Sequence, residues 1–241
     1  MKLTFISLYP DSIYSFMNRG IIKKAIDANR LTVECLDLRA FSSPPHYNVD
    51  DYPYSKRQGM LIKADILKNA LDSIADARFI MPDPKGSLFN HTIANDLSSE
   101  KSLVFICPAF EGVDQRIFDM VSIDRYCLAD AIVPTGDSPA IFMAEAIVRY
   151  LPDMLGCNDC VENDSILSGL LEEPQYTAPR SVNGYDVPSI LVSGDHAKIE
   201  QWKQRERLKN TLFFRPDLIN VFNFNEKLVT IVNQIILEDH S

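Results

Sequence analysis

Two polar residues in the second half of the chain, an aspartate and an arginine, are of types that could take part in proton transfer. Asp164 lies in the segment E-N-D-S-I-L-S-G-L-L-E-E-P-Q-Y-T-A-P-R of residues 162–180, and Arg149 lies at the end of an apolar run. An aspartate with its ordinary pKa of about 3.9 is a weak base until burial raises that value, and a nearby arginine lowers it. Both residues also have structural interpretations, because Asp164 could cap a helix and Arg149 could pack its stem on one.

Further candidate ligand-binding residues lie in loop-like segments. Glu111 and Asp114 belong to F-E-G-V-D, and His46 and Asp50 belong to H-Y-N-V-D-D. The carboxylates could equally sit at a helix start, where the macrodipole favours them, and a loop histidine is usually just solvated. These positions are therefore candidates for ligand contact, with structural alternatives open.

Charge argues against indiscriminate binding to nucleic acid. The 241 residues carry a formal charge of -9, whereas binding without sequence selectivity relies on a broad positive surface. Any RNA partner must therefore meet local patches. One candidate is the run of residues 198–209, where Lys198, Lys203 and Arg205 are among the basic residues that outnumber the acidic ones; its alternative is a solvated helix face.

Composition indicates a cytoplasmic protein with a packed core. Hydrophobic residues make up 46% of the chain, and no apolar run approaches the ~18 residues of a membrane span. The odd number of cysteines, 5, indicates reduced thiols. Cys157 and Cys160 form a C-x-x-C pair, but no second pair or nearby histidine completes a metal site, so none is predicted.

Alternating apolar patterns predict an α/β fold with a largely parallel sheet. The predicted strands are Leu3–Leu8, Leu31–Leu36, Arg78–Met81 and Leu103–Cys107, and the predicted helices are Ser12–Ala28, Lys63–Ala75, Phe89–Leu97, Pro139–Leu151, Ala197–Lys209 and Glu226–Leu237.

Details of two helices can also be predicted. Asp11 and Ser12 should cap the first helix and Asn29 should close it. In the helix over Pro139–Leu151, the spacing of Phe142, Ala146 and Tyr150 predicts burial. The polar stretch from Gly156 to Ser168 is typical of an interdomain linker.

Five segments along the whole chain resemble the bacterial tRNA (guanine-N1)-methyltransferase family. Residues 164–166 read D-S-I for the family's D-S-F, and residues 169–179 match G-L-L-E-x-P-x-Y-T-R-P except for Ala178. Residues 49–60 resemble V-D-D-x-P-Y-G-G-G-x-G-M, with Ser55-Lys56-Arg57 in place of three glycines. Residues 107–117 resemble C-G-R-Y-E-G-I-D-E-R-V, and residues 127–140 resemble S-I-G-D-Y-V-L-S-G-G-E-L-P-A.

The resemblance implies features of the architecture that hydrophobic periodicity does not predict. It implies a trefoil-knotted parallel-sheet (SPOUT) domain over residues 1–157, a flexible linker over 158–168 and a small helical tRNA-binding domain over 169–241. The knot would form where residues 127–140 are threaded. The resemblance also implies a homodimer whose active sites are shared between subunits.

The same resemblance implies an activity and its residues. The expected reaction transfers a methyl group from S-adenosylmethionine to the guanosine 3′ of the anticodon, with Mg²⁺ as a further candidate component. Asp164 matches the proposed general base, and Arg149 matches the arginine that orients it or stabilises the charged guanine. The expected contacts to the tRNA anticodon stem-loop come from His46, Asp50, Ser165, Lys198, Lys203 and Arg205.

The cofactor pocket implied by the resemblance is built mostly from backbone at strand ends. Its expected residues are Pro84, Pro108, Glu111, Leu128, Ala129, Asp130, Ala131, Ile132, Val133 and Gly136. Pro108 and Thr135 replace glycines, and a β-branched residue is strained if φ must be positive. These changes leave two alternatives open, namely a paralogue that binds RNA with weak or no cofactor binding, and a methyltransferase for another RNA base.

Overall fold

The computed structural model describes residues 1–56, 58–152, 154, 169–219 and 232. The chain divides into two compact units, residues 1–156 and 157–241. Arg57, the proposed linker over 158–168 with Asp164 and Ser165, and the predicted helix Glu226–Leu237 lie outside the described residues, apart from position 232 of that helix.

A five-stranded parallel sheet forms the centre of the first unit and confirms the predicted α/β class. The elements, in chain order, are β1 (Lys2–Ser7), α1 (Pro10–Met17), α2 (Gly20–Asp27), β2 (Thr32–Asp37), a 3-10 helix (Leu38–Phe41), β3 (Asp50–Asp51), β4 (Leu61–Ile62), α3 (Ala64–Asp72), β5 (Arg78–Leu88), α4 (His91–Ser98), β6 (Ser102–Ile106), α5 (Arg116–Met120), β7 (Ile123–Cys127) and α6 (Asp137–Val148). The strand order is β2-β1-β6-β5-β7, and every neighbouring pair is parallel. The short strands β3 and β4 pair separately as an antiparallel ribbon.

Burial on both faces of the sheet explains the continuous apolar character of β1 and β6. On one face, the rings of Phe5 and Phe105 stack with centroids 5.1 Å apart in a cluster that includes residues of α1, α2, α4 and α6. On the other face, Ile6 and Ile106 join a second cluster with residues of α3 and α5. Helices therefore cover both faces, as parallel sheets require.

The predicted single helix over Ser12–Ala28 is wrong, because the chain forms two helices there. Helix α1 ends at Met17, and Gly20 takes a φ of +60° where α2 begins, a conformation that glycine adopts without steric cost. The predicted Asp11/Ser12 cap is also wrong, since the N-cap residue is Tyr9 and no side chain caps the helix. The role of Asn29 is confirmed: it follows the last turn of α2 with a φ of +55° and donates its N–H to the Ile26 carbonyl.

The predicted buried stripe of α6 is confirmed in part, since Ala146 and Tyr150 are half-buried and pack against the core cluster, and it is wrong at Phe142. Its buried residues include Met143, Ala144 and Ile147, whereas the side chain of Phe142 is 58% exposed. Nearly every residue of this helix is apolar, so spacing alone could not identify the face that packs on the sheet.

A bulge interrupts β5 beside β7. Pro82 and Ser87 both stand opposite Tyr126, so residues 83–86 form an excursion from the ladder. At Gly86, a Cβ atom would lie less than 3.0 Å from the backbone of Arg125 and Tyr126. Glycine at this position therefore lets the excursion return to the sheet edge.

The second unit contains more than the helices predicted for it. A hairpin joins β8 (Ser181–Val182) to β9 (Tyr185–Asp186), and the connecting Asn183-Gly184 pair is a recognised hairpin turn signal. Short 3-10 helices follow at Ser189–Val192 and Pro216–Leu218. Between them, α7 (His196–Phe214) confirms and extends the predicted helix over Ala197–Lys209.

Side chains of α7 hold the segment that follows Gly169. The Thr211 hydroxyl accepts a hydrogen bond from the Leu171 N–H at 2.7 Å, and the Asn210 amide donates to the Glu172 carbonyl at 2.7 Å. Within the described residues, no helix has the length and apolar character needed to cross a membrane.

We expect Gly86→Ala to lower the free energy of unfolding by roughly 1–3 kcal/mol, because the new methyl group overlaps the β7 backbone. Urea denaturation measures this effect. Lys85→Ala is the matched control, since its exposed side chain makes a change within about ±0.5 kcal/mol the expectation. Equal stability of both variants would contradict the close approach.

Candidate active site

A cavity of about 670 Å³ opens at the carboxyl ends of β5, β6 and β7. Its walls come from the β5 excursion, the loop after β6, the loop after β7 and the start of α6. In open parallel sheets, ligands bind outside the carboxyl ends of the strands. The cavity therefore lies where this architecture accommodates small molecules.

The expected cofactor residues meet in this one place, with one exception. The residues that line the cavity include Pro84, Pro108, Glu111, Leu128, Ala129, Ala131, Ile132, Val133 and Gly136. Asp130 is exposed and is not among the lining residues. Asp83, which lies in the segment of residues 82–86 that the resemblance places at the ribose side, also lines the cavity, as does Phe142, which its spacing assigned to the core.

The loops after β6 and β7 are joined at their roots by backbone contacts. The Gly136 N–H donates to the Pro108 carbonyl at 2.6 Å, and Ala109 and Thr135 form an antiparallel bridge next to it. The φ of Thr135 is not positive. This β-branched residue therefore escapes the strain anticipated at a glycine position. A continuous backbone wall results.

Pro108 is accommodated because residue 136 is glycine. A Cβ atom on Gly136 would lie less than 3.0 Å from the Pro108 Cδ atom, although a φ of -76° would itself suit any residue. The proline ring thus fills the space that the missing side chain leaves. The substitution at position 108 is compatible with a formed pocket.

Two acidic residues, Asp83 and Glu111, are among the residues that line the cavity. The Asp83 carboxylate lies 3.4 Å from Arg125 Nη1, and the guanidinium of Arg125 stacks over the Phe118 ring at 4.8 Å. Glu111 lines the cavity and has an exposed side chain. Two carboxylates therefore stand near an otherwise largely apolar space.

The loop of residues 52–60 approaches the cavity beside Glu111. The Glu111 N–H donates to the Met60 carbonyl at 3.0 Å, and Gly59, with a φ of +92°, packs so closely on Glu111 that a Cβ there would overlap it. Lys56, which stands at a family glycine position, has a φ of +56°. A conformation that glycine adopts freely is thus imposed on a lysine.

Charge pairing next to this loop holds the start of α5. Arg116 Nη2 lies 2.6 Å from Asp114 Oδ2, and the hydrogen bonds from Arg116 lower the pKa of the Asp114 carboxyl. The Asp114 carboxylate also accepts a hydrogen bond from the Arg116 N–H at 2.9 Å. Its own backbone N–H donates to Ile62 at 2.9 Å, which ties it to β4.

The expected catalytic and RNA-contacting residues of the first unit are spread along it. Asp50 lies half-buried in β3, and His46 is exposed in the preceding loop. Arg149 is exposed and terminates α6, whereas Gly136 lies at the beginning of that helix. At 1.5 Å per residue, about 20 Å of helix separates the two positions.

In the second unit, the three basic candidates lie on α7. Lys198 Nζ lies 3.1 Å from Asp195 Oδ2 and Lys203 Nζ lies 3.9 Å from Glu200 Oε2; Arg205 is half-buried. Exposed pairs of this kind contribute little to stability and can be exchanged for other partners. Among the described residues, no cluster of three His, Cys, Asp or Glu side chains could hold a metal ion.

Comparison with known proteins gives one consistent result. The family described as "tRNA (Guanine-1)-methyltransferase TrmD" matches residues 1–221. A tRNA (guanine-N(1)-)-methyltransferase of Pediococcus pentosaceus is 42% identical over 225 residues, covering 91% of each chain. The same enzyme of Listeria monocytogenes is 39% identical over 236 residues, covering 95% of this chain and 96% of the relative. That of Lacticaseibacillus paracasei is 38% identical over 244 residues, covering 99% and 95%.

We expect Gly136→Ala to lower the free energy of unfolding by about 1–3 kcal/mol, because the methyl group meets the Pro108 ring. In the double variant Pro108→Gly/Gly136→Ala, removal of the ring should recover most of that loss. A double-mutant cycle from urea denaturation should give a coupling energy of about 1 kcal/mol or more. Strictly additive effects would contradict the proposed fit of ring and glycine.

Proposed function

The chain belongs to the tRNA (guanine-1)-methyltransferase family, and on that premise we propose that it transfers a methyl group from S-adenosylmethionine to N1 of the guanosine 3′ of the tRNA anticodon. Membership assigns the first unit to the trefoil-knotted SPOUT class of α/β methyltransferases. The observation that carries the proposal is the cavity that collects the expected cofactor residues at the carboxyl ends of the strands.

The dimensions and lining of the cavity fit an adenosyl ligand. Its volume of about 670 Å³ falls within the ~300–1,000 Å³ typical of small-molecule sites. S-adenosylmethionine, when bound, supplies an electrophilic methyl group. We assign the backbone of residues 128–133 to the adenine edge, Pro84 to the ribose side, and Glu111 to the cationic methionine end.

Asp164 and Arg149 are proposed to handle the proton and charge of the guanine. Removal of the N1 proton requires a base, and negative charge that develops on the ring and O6 requires a cation. We assign the first role to Asp164 and the second to Arg149. Arg149 would lower the pKa of a neighbouring carboxyl, so exclusion of water by bound RNA must offset that effect.

The length of α6 supports a homodimer with a shared active site. About 20 Å of helix separates Arg149 from the Gly136 end of the cavity, more than the side chain of one arginine spans. A second copy of the chain can supply Arg149 to the cavity of the first. We therefore propose that the working unit in the cytoplasm is a dimer.

Contacts to RNA are assigned to both units. We propose that His46, Asp50 and Ser165 surround the target nucleotide and that Lys198, Lys203 and Arg205 bind backbone phosphates of the anticodon stem. Guanine in a loop is reached by flipping, where unstacking costs little. Mg²⁺ is proposed as an additional component of the reaction.

A paralogue without cofactor binding is the weaker candidate. It was suggested by the glycines replaced around the pocket, above all at position 108. The fit of Pro108 against Gly136 removes the steric reason for expecting a collapsed site.

We expect the purified protein to bind S-adenosylhomocysteine in calorimetric titration and to methylate a tRNA transcript with guanosine 3′ of the anticodon. Mass spectrometry of the digested tRNA should locate the methyl group on guanine N1 at that position. Absence of binding at millimolar ligand, or methylation of another base, would contradict the proposal.

The role of Asp164 has its own test. Asp164→Asn should reduce kcat by about 10²-fold or more through loss of the base, while the Kd for S-adenosylhomocysteine stays within about twofold. Asp159→Asn, a neighbouring aspartate exchanged in the same way, is the matched control and should keep its activity. Full activity of the Asp164→Asn variant would refute the assignment.

A further inference from the structure

A buried polar cluster lies directly below the cavity, where β1 and β6 end and α6 begins. Ser7 is 1% exposed, Cys107 4% and Asp137 6%. The Ser7 hydroxyl donates a hydrogen bond to the Asp137 carboxylate across 130 positions of sequence, and it accepts one from the Tyr9 N–H at 2.7 Å. Burial of a carboxylate is costly unless such donors satisfy it.

The Cys107 thiol lies next to this carboxylate. Burial and, after it, the Asp137 carboxylate raise the pKa of Cys107 well above its ordinary value of 9.0. The thiol therefore keeps its proton at neutral pH. The location of Asp137 at the first turn of α6 adds the favourable field of the helix N-terminus.

These contacts fall on the two residues next to the Gly136–Pro108 hydrogen bond. Asp137 follows Gly136, and Cys107 precedes Pro108, so the buried Asp137 carboxylate lies beside the backbone link between the two loop roots. Ser7 attaches this carboxylate to β1, an interior strand of the sheet. The Asp137 carboxylate therefore anchors the root of the loop after β7 to the sheet, next to the root of the loop after β6.

We propose that Asp137 is a positioning residue that holds the loops after β6 and β7 at the separation required by the adenosyl group. This inference rests on the proposed function, because it assigns the two loops to cofactor binding. Asp137 lies below the pocket lining and acts through its neighbours Gly136 and Ser138, which do line the cavity.

The test measures the Kd for S-adenosylhomocysteine by calorimetry and the KM values for S-adenosylmethionine and tRNA. Asp137→Ala should raise the Kd by about tenfold or more, because it leaves the buried Ser7 hydroxyl without its acceptor and removes the anchor of the loop root. The KM for S-adenosylmethionine should rise with it. At saturating cofactor, kcat and the KM for tRNA should change by less than about threefold.

Conservative and matched control variants separate positioning from general loss of stability. Asp137→Asn keeps an acceptor for Ser7 and should restore most of the affinity. Leu71→Ala removes a buried side chain from α3, a helix that does not line the cavity, and should lower Tm while leaving the Kd unchanged. An unchanged Kd in Asp137→Ala, or an equal rise in Leu71→Ala, would overturn the inference.

If Asp137→Ala does not fold, Ser7→Ala provides the measurement. It removes one donor and should raise the Kd about threefold or more; an unchanged Kd in this variant would also overturn the inference. Titration of the wild-type protein distinguishes failure of the proposed function from failure of the role assigned to Asp137. Wild-type protein that binds no S-adenosylhomocysteine defeats the proposed function, whereas wild-type binding with unaffected variants defeats only the role of Asp137.

Discussion

The hydrogen bond from the Gly136 N–H to the Pro108 carbonyl joins the two loops from which most of the cavity is built. Neither loop has regular secondary structure, so its course is fixed by contacts such as this junction, the adjacent Ala109–Thr135 bridge and the hydrogen bond from Glu111 to Met60. In the parallel sheet, β6 and β7 are separated by the single strand β5, so their carboxyl ends lie at the same edge, about 10 Å apart. The absence of a side chain at Gly136 then allows the Pro108 ring to pack against it at the cavity wall. Pocket formation thus depends on close backbone approach more than on particular side chains.

Much of the first unit could be predicted from local sequence pattern. Strand β1 and strand β6 are apolar on both faces because helices cover both, and such runs are recognisable without any partner. The cofactor residues were reached differently. Their types are unremarkable, and only the motif resemblance over residues 82–86, 107–117 and 127–140 singled them out before the cavity brought nearly all of them together.

The remaining features depend on contacts that sequence spacing does not encode. Strand β7, an edge strand with charged residues at Asp124 and Arg125, has no continuous apolar run and was missed. Phe142 was assigned to the core because α6 is apolar on nearly every face. The hydrogen bond between Ser7 and Asp137 spans 130 positions of sequence and could be seen only once the sheet was assembled.

A crystal structure of the protein with S-adenosylhomocysteine tests the central claim most directly, because that claim concerns where the ligand is held. We predict electron density for the adenosyl group between the loop of residues 108–112 and the loop of residues 127–136, with the Gly136–Pro108 hydrogen bond intact. Density for the ligand at any other position, with this cavity filled by protein side chains, would contradict it.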